Sequence, residues 1–142
     1  CTCACHAVTL LAAGALSACG SGPSAPSNVP QLGSVASTVS GRTITINVDA
    51  SQTLSTVGSA AIAQTSLGSF LVARTAQDTF TALTAICTHG QCTVTGFANS
   101  RYVCPRHGSQ YTTNGAVANG PATRALQQFP TTFANGVLTF TV

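Results

Sequence analysis

The chain of 142 residues contains no lysine, glutamate, methionine or tryptophan, and charged residues make up only 5% of it. Its charged side chains are five arginines and two aspartates, Asp49 and Asp78. Two acids give little scope for general acid–base catalysis, and the sequence offers no Ser/His/Asp set. A net charge of +3 on scattered arginines is not typical of a protein that binds nucleic acid. The composition therefore favours a carrier or a subunit over an independent enzyme.

The lysine and glutamate that helices usually contain are absent, and the chain is rich in Thr, Ser, Val and Gly, which is a β composition. Residues 43–50 alternate, with Ile44, Ile46 and Val48 on one face, and this alternation predicts a half-buried strand. The sequence predicts further strands at residues 60–65, 70–74 and 79–86, a short hairpin of 93–95 with 101–103, and a closing hairpin of 131–133 with 137–142. No segment is typical of a folded helix, so we predict an all-β domain.

Two dipeptides, Asn114-Gly115 and Asn135-Gly136, indicate type I′ hairpin turns. The aromatic residues with core-like placement in the predicted strands are Phe70, Phe80, Phe133 and Phe140.

Residues 1–19 differ from the rest of the chain in containing an apolar stretch that is not predicted to be a β-strand. The apolar stretch at 7–18 is shorter than the about 20 residues that span a bilayer, and fits the apolar core of a secretory signal peptide. Its ending, Leu16-Ser17-Ala18-Cys19, resembles a bacterial lipobox, which makes Cys19 a candidate for lipidation. A transmembrane anchor is the alternative, if apolar residues precede the given sequence. The chain does not begin with Met, so we expect a fragment or an omitted leader.

The Ser-, Pro- and Gly-rich residues 20–35 are typical of a flexible linker, and we predict the folded domain at residues 36–142. We expect an exported protein on the periplasmic or extracellular face, tethered to the membrane through its N-terminal segment.

Residues 87–111 contain two motifs that combine cysteine and histidine. Cys87 and His89 form the first, and Cys104 and His107 form the second. Thiolates and imidazoles bind borderline and soft metals, and four of them complete one coordination shell. Structural zinc satisfies this set, as does a 2Fe-2S cluster with two cysteines on one iron and two histidines on the other. Zinc needs no particular residues after the last ligand, whereas this chain continues H-G-S-Q-Y and later G-P-A.

These segments, C-T-H-x-x-C, C-P-x-H-G-S-x-Y and G-P-A, closely resemble the Rieske family. The resemblance implies an antiparallel β-sandwich of the Rieske type, with a small cluster-binding β subdomain at one tip. It implies a Rieske 2Fe-2S cluster whose inner iron is bound by Cys87 and Cys104 and whose outer iron is bound by His89 and His107.

The resemblance also implies residues around the cluster. Ser109 and Tyr111 would donate hydrogen bonds to its sulfur atoms, and Gly120 and Pro121 would belong to a loop that covers it. Histidine ligands place Rieske potentials at about −150 to +300 mV, against about −400 mV for plant-type ferredoxins with four cysteine ligands. In the family, the serine and tyrosine that match Ser109 and Tyr111 accompany the high-potential branch, so the resemblance implies a high-potential centre.

The function implied is one-electron transfer from quinol to a c-type cytochrome, as a carrier or as a subunit of a bc-type quinol-oxidising complex. One alternative is a Rieske ferredoxin or the small subunit of another oxidoreductase. Another, from a different class, is a secreted binding module stabilised by zinc.

Two departures from the bc-type pattern stand out. The middle of the first motif is Gly90-Gln91, where the family usually has Leu-Gly. In the second motif Arg106 replaces a cysteine that in the family forms a disulfide with the position of Cys92. We therefore expect Cys92 to be a buried free thiol. Arg106 is expected either to place a cation near the cluster or to be exposed to solvent.

Overall fold

The computed structural model describes residues 28–142, which form short β-strands and one 3₁₀ turn. The predicted signal or anchor segment, the lipidation candidate Cys19 and residues 20–27 of the predicted linker lie outside the described residues. Within the described part, no helix is long and apolar enough to cross a membrane.

The strands are β1 (Gly33–Ser34), β2 (Thr38–Ser40), β3 (Thr43–Asn47), β4 (Ala60–Thr65), β5 (Gly68–Ala76), β6 (Thr79–Thr84), β7 (Gly96–Ala98), β8 (Arg101–Val103), β9 (Gln110–Thr112), β10 (Val117–Asn119), β11 (Gln128–Phe129), β12 (Thr131–Ala134) and β13 (Val137–Thr141), and the 3₁₀ turn is Gln52–Leu54.

Three sheets contain these strands. The central sheet has the order β1-β4-β5-β6-β11, the outer sheet has the order β12-β13-β3-β2, and the distal sheet has the order β10-β9-β8-β7. All pairs are antiparallel except β1 with β4. The predicted all-β class and the small separate subdomain are thus confirmed.

The central sheet is buried on both faces, which explains the uninterrupted apolar runs of β4, β5 and β6. Phe70 and Val72 face a core shared with Ile44 and Ile46 of the outer sheet. The alternate residue Leu71 belongs to a second core with side chains of the distal sheet and its loops. Strands covered on both faces lose the alternation of apolar and polar residues that marks a half-buried strand.

The core between the central and outer sheets is aromatic. The ring of Phe70 lies 5.6 Å, edge to face, from those of Phe129 and Phe140, and Phe80 packs 4.7 Å from Phe133. Of the four predicted core phenylalanines, three are buried and Phe133 is partly buried against them. Edge-to-face pairs add about 0.5–1.5 kcal/mol to the burial of their area.

Most predicted strands are present, with shifted ends. The strand predicted at 43–50 ends at Asn47, and Ile44, Ile46 and Val48 are buried as expected. The prediction that 93–95 forms a strand with 101–103 is wrong by three residues, because β7 is Gly96–Ala98. Asn99 and Ser100 both have positive φ, so a two-residue turn places Ala98 opposite Arg101.

The two predicted type I′ turns have different outcomes. Asn135 and Gly136 both have positive φ, at 51° and 75°, and connect β12 to β13 as predicted. The prediction for Asn114-Gly115 is wrong, because only Gly115 has positive φ and residues 113–116 form a longer connection. At Gly136 a Cβ atom would also collide with the carboxylate of Asp49.

Paired backbone begins before residue 36. Gln31 bridges Gly96 of the distal sheet, the amide of Leu32 donates to the carbonyl of Thr95, and β1 pairs with β4 of the central sheet. The predicted boundary therefore falls inside the folded part, and the segment before it joins two sheets.

We predict that Phe140→Ala lowers the free energy of unfolding by about 3–5 kcal/mol, because it opens a cavity beside Phe70 and Phe129. Urea unfolding followed by far-ultraviolet circular dichroism measures the change. Val57→Ala removes a side chain that is 52% exposed and should cost less than about 0.5 kcal/mol. Equal losses in the two variants would contradict the packing described.

Candidate metal centre

Two loops at the end of the distal sheet have the same backbone hydrogen bonds. In the first loop, residues 87–92, the Cys87 amide donates to the Cys92 carbonyl and the Gln91 amide donates to the Cys87 carbonyl. In the second loop, residues 104–109, Cys104 makes the same two bonds with Ser109 and Gly108. The donors to the two cysteine carbonyls, Gln91 and Gly108, both have positive φ. The two loops thus hold Cys87 and Cys104 in equivalent positions.

The loops bring the four predicted ligands together with an inner and an outer pair. Cys87 and Cys104 are fully buried, whereas His89 is exposed and His107 is half-buried. The Nδ1 atoms of the two histidines lie 3.2 Å apart, and the rings are nearly perpendicular, at 87°.

This donor set fits a metal group. Two imidazole nitrogens on one tetrahedral metal ion, each at about 2.1 Å, would lie roughly 3.4 Å apart, which is close to the spacing of the two Nδ1 atoms. The Sγ atoms of Cys87, Cys92 and Cys104 lie within 4.8 Å of one another. Two fully buried thiols and two less buried imidazoles suit a group with a sulfur-bound inner metal and a nitrogen-bound outer one.

The two buried thiols differ in acidity. Burial raises the pKa of Cys104 to about 12. Burial also acts on Cys87, but hydrogen bonds from the Tyr111 hydroxyl and from the amides of His89 and Gly90 outweigh it and bring the pKa of Cys87 below its ordinary value. The thiolate is the form that binds metals, and Cys87 loses its proton to form the thiolate more readily than Cys104 does.

Tyr111 lies at the centre of a buried hydrogen-bond network. Its hydroxyl is 3.2 Å from Cys87 Sγ, accepts a bond from the Thr88 amide at 3.2 Å, and is 3.1 Å from Thr88 Oγ1. Burial, and then the bond to Cys87, raise the pKa of Tyr111. The phenol therefore keeps its proton near neutral pH and can donate it to the sulfur.

A third loop, residues 120–127, packs against both metal-site loops. The Ala122 amide donates to Ser109 Oγ at 3.1 Å, and Thr88 Oγ1 donates to the Arg124 carbonyl at 2.6 Å. Gly120 and Pro121, the residues expected in the covering loop, are both exposed. The loop therefore contacts the site through residues that follow these two.

Sequence reasoning assigned no role to Thr88 or Arg124. Thr88 lies within the first motif, so its position was a usable signal. Arg124 contacts the site through its backbone carbonyl, for which the identity of the side chain gives no signal. Ala122 belongs to the G-P-A segment expected to cover the site, and it makes its contact through its backbone amide.

Cys92 is a free thiol, as expected, but it is half-buried rather than buried. Its Sγ lies 3.2 Å from that of Cys104, so it is directly beside the donor set. Arg106 is exposed to solvent, which agrees with one of the two expectations for it.

A groove of about 460 Å³ opens beside His89. Its lining includes Thr84, Ile86, Gln91 and Arg124. Ile86 is 43% exposed, which makes it an apolar contact surface next to the imidazole.

Comparison with known proteins gives a family match. The sequence model of the family described as "Rieske [2Fe-2S] domain" matches residues 24–130, about three quarters of the chain. Among solved structures, the chain is similar to the cyanobacterial plasma membrane Rieske protein PetC3 from Synechocystis PCC 6803. The two have 27% identity and a TM-score of 0.53, over 58% of this chain and 86% of that one.

Curated relatives match over a shorter segment. The cytochrome b6-f complex iron-sulfur subunit of Prochlorococcus marinus (strain AS9601) is 51% identical over 45 residues, which cover 31% of this chain and 25% of the relative. The chloroplastic subunit of the same name from Bigelowiella natans is 52% identical over 46 residues, 32% of this chain and 18% of the relative. The match therefore spans a quarter or less of these two relatives.

We predict that Cys92→Ser retains iron and acid-labile sulfide, because the backbone hydrogen bonds make Cys87 equivalent to Cys104, whereas Cys92 is equivalent to Ser109, which is not a predicted ligand. Cys87→Ser, as the matched change in the same loop, should lose both. Metal and sulfide analysis of the purified variants measures this. Loss of iron from Cys92→Ser, at unchanged secondary structure, would make Cys92 a ligand.

Proposed function

The chain belongs to the Rieske [2Fe-2S] domain family, and on this premise we propose that it passes single electrons from a quinol to a c-type cytochrome. Its cofactor is a Rieske 2Fe-2S cluster. When bound, the cluster supplies a one-electron redox couple, which histidine ligation places at higher potential than all-cysteine ligation does. The roles below are those of the protein's own residues.

The ligands in this proposal are Cys87 and Cys104 at the inner iron, and His89 and His107 at the outer one. The observation that carries it is the approach of the two histidine Nδ1 atoms to 3.2 Å at an exposed edge, directly outside the buried thiols. A hydrogen bond between the two imidazoles also fits this distance, but it gives no role to the two buried thiols, whereas a metal group uses all four side chains as ligands.

Tyr111 and Ser109 tune the centre in this proposal. A hydroxyl that donates to a sulfur binds the more negative, reduced state better, and so favours reduction. Tyr111 is in place for this, with its hydroxyl 3.2 Å from Cys87 Sγ. Ser109 is fully buried and accepts from the Ala122 amide, which leaves its own hydroxyl proton free to donate into the site.

His89, which is exposed, and His107, which is half-buried, supply the contact with the electron partners. Since Nδ1 of each ring faces the other ring, Nε2 is the nitrogen that remains for a hydrogen bond to a quinol or to water. The groove beside His89, with exposed Ile86 in its wall, provides an apolar surface for such a molecule.

The relatives support a place in a quinol-oxidising complex. The matched subunits are named as parts of cytochrome b6-f complexes, and the structural neighbour is named as a plasma membrane protein. We extend the proposal to an exported protein held at the membrane by its N-terminal segment. A Rieske ferredoxin role serving another oxidoreductase is the second candidate, supported by Gly90-Gln91 and by the unpaired Cys92 in the first loop.

We predict that Tyr111→Phe and Ser109→Ala each lower the midpoint potential by tens of millivolts. A hydrogen bond that strengthens by about 1.4 kcal/mol on reduction raises a one-electron potential by about 59 mV. Protein-film voltammetry of the loaded domain measures the shift.

The matched control is Tyr102→Phe. Tyr102 pairs with Tyr111 across β8 and β9 and is also buried, but its hydroxyl has no hydrogen-bond partner among the described residues. Its removal should leave the potential unchanged. Equal shifts in the two Tyr→Phe variants would remove Tyr111 from its proposed role.

The quinol role is tested by mixing the oxidised domain with decylubiquinol without oxygen, and then adding a c-type cytochrome. We expect a positive midpoint potential, bleaching of the cluster's visible absorbance by the quinol and its return with the cytochrome. A midpoint near or below about −100 mV, within the wide Rieske range, would favour the ferredoxin role instead.

A further inference from the structure

The charged side chains are not evenly distributed in space. The chain has five arginines and two aspartates, all within the described residues. Arg101 begins β8 of the distal sheet, Arg106 belongs to the second loop, and Arg124 belongs to the third loop. All three are exposed, and neither aspartate lies in these elements.

The acids lie elsewhere. Asp49 and Asp78 line one groove of about 430 Å³ together with Arg74. Asp78 precedes β6 and Cys87 follows its end, so at about 3.3 Å per residue roughly 25–30 Å of chain separates them. Arg42, in the turn between β2 and β3, accounts for the fifth arginine. Outside the distal sheet and its loops, two arginines balance two aspartates, and the whole excess of +3 falls on the distal sheet and its loops.

Two of these arginines adjoin the histidines. Arg106 is the chain neighbour of His107, and the carbonyl of Arg124 accepts a 2.6 Å hydrogen bond from Thr88, the neighbour of His89. The side chain of neither arginine makes a hydrogen bond or an ion pair with another described residue. Both guanidinium groups are therefore free for a partner.

We propose that Arg106 and Arg124 form a basic rim beside His89 and His107, and that this rim docks an electron-transfer protein through an acidic surface of the partner. The inference rests on the proposed electron-transfer function and adds the charge of the partner. A surface whose charge is opposite to that of its partner steers association, and it raises the on-rate more than the affinity.

The surface also has the composition of a weak protein interface. The histidines and Ile86 give it an exposed apolar and aromatic centre, and the arginines form a charged border. Such an apolar centre with a polar rim, enriched in arginine, is typical of protein interfaces. The three arginines of the distal sheet and its loops are fewer than the about 6–10 phosphate contacts that give nucleic-acid binding a steep salt dependence.

The first test measures how fast the reduced domain is oxidised by hexacyanoferrate(III), an anion, and by tris(phenanthroline)cobalt(III), a cation. Between about 0.01 M and about 0.15 M salt the Debye length falls from about 30 Å to about 8 Å. We expect the rate constant with the anion to fall by about three- to tenfold over this range, and that with the cation to rise.

Three variants with the same change in net charge locate the effect. Arg106→Gln and Arg124→Gln should each weaken the salt dependence with the anion, whereas Arg42→Gln, on the outer sheet, should leave it as in the unmodified protein. An unchanged visible spectrum verifies that each variant retains its cluster. Equal effects in all three would mean that net charge alone acts, and would overturn the proposal.

The second test uses fluorescein-labelled hexaglutamate as the acidic probe, with binding followed by fluorescence anisotropy. We expect Arg106→Gln and Arg124→Gln each to lower its affinity by about two- to fivefold, the range of exposed ion pairs. Arg42→Gln should not change the affinity for the peptide.

Sedimentation with phosphatidylglycerol vesicles is measured in parallel. Vesicle binding that depends on Arg106 and Arg124, without peptide binding, would assign the rim to a lipid surface and overturn the proposal.

The two proposals fail in different ways. A domain without iron, or without a redox signal, defeats the electron-transfer function itself. A domain with its cluster and normal potential, but with equal salt responses in the three arginine variants, defeats only the basic rim.

Discussion

The metal site depends on the pair of backbone hydrogen bonds that each cysteine makes within its own loop. The amide and carbonyl of Cys87 are tied to Cys92 and Gln91, and those of Cys104 to Ser109 and Gly108. These bonds fix the two Sγ atoms under the histidines in a chain that has no disulfide among its described residues. A buried backbone group without a partner is costly, so the loops lose most of their alternatives once the cysteines are buried.

The packing of the central sheet also restricts the positions of the two cysteines. One face of the central sheet packs against the outer sheet and forms the aromatic core. The other face packs against Cys87, Cys104 and Tyr111. The side chains behind the site therefore rest on strands that are themselves held from the opposite side. Such two-sided packing leaves little room for the thiols to move apart, because protein interiors are close-packed.

The parts of this structure that sequence could predict are those with local signals. Alternation identified β3, and the Cys and His motifs identified the residues that now lie together. The register of β7 could not be predicted from such local signals. It depends on the positive φ of Asn99 and Ser100, and the sequence Asn-Ser is not a recognised signal for such a turn, as Asn-Gly is.

The arginines appeared scattered along the sequence, and only the fold brings Arg106 and Arg124 to the same end. The bond from Thr88 to Arg124 joins positions 36 residues apart through a backbone carbonyl, for which no residue type is diagnostic.

The third loop is fastened by one bond to each metal-site loop, from Ala122 to Ser109 and from Thr88 to Arg124. Each bond needs its own metal-site loop in the native conformation. The third loop therefore depends on both metal-site loops at once, so a change that distorts either Cys/His loop also removes one of the two contacts that hold residues 120–127 in place.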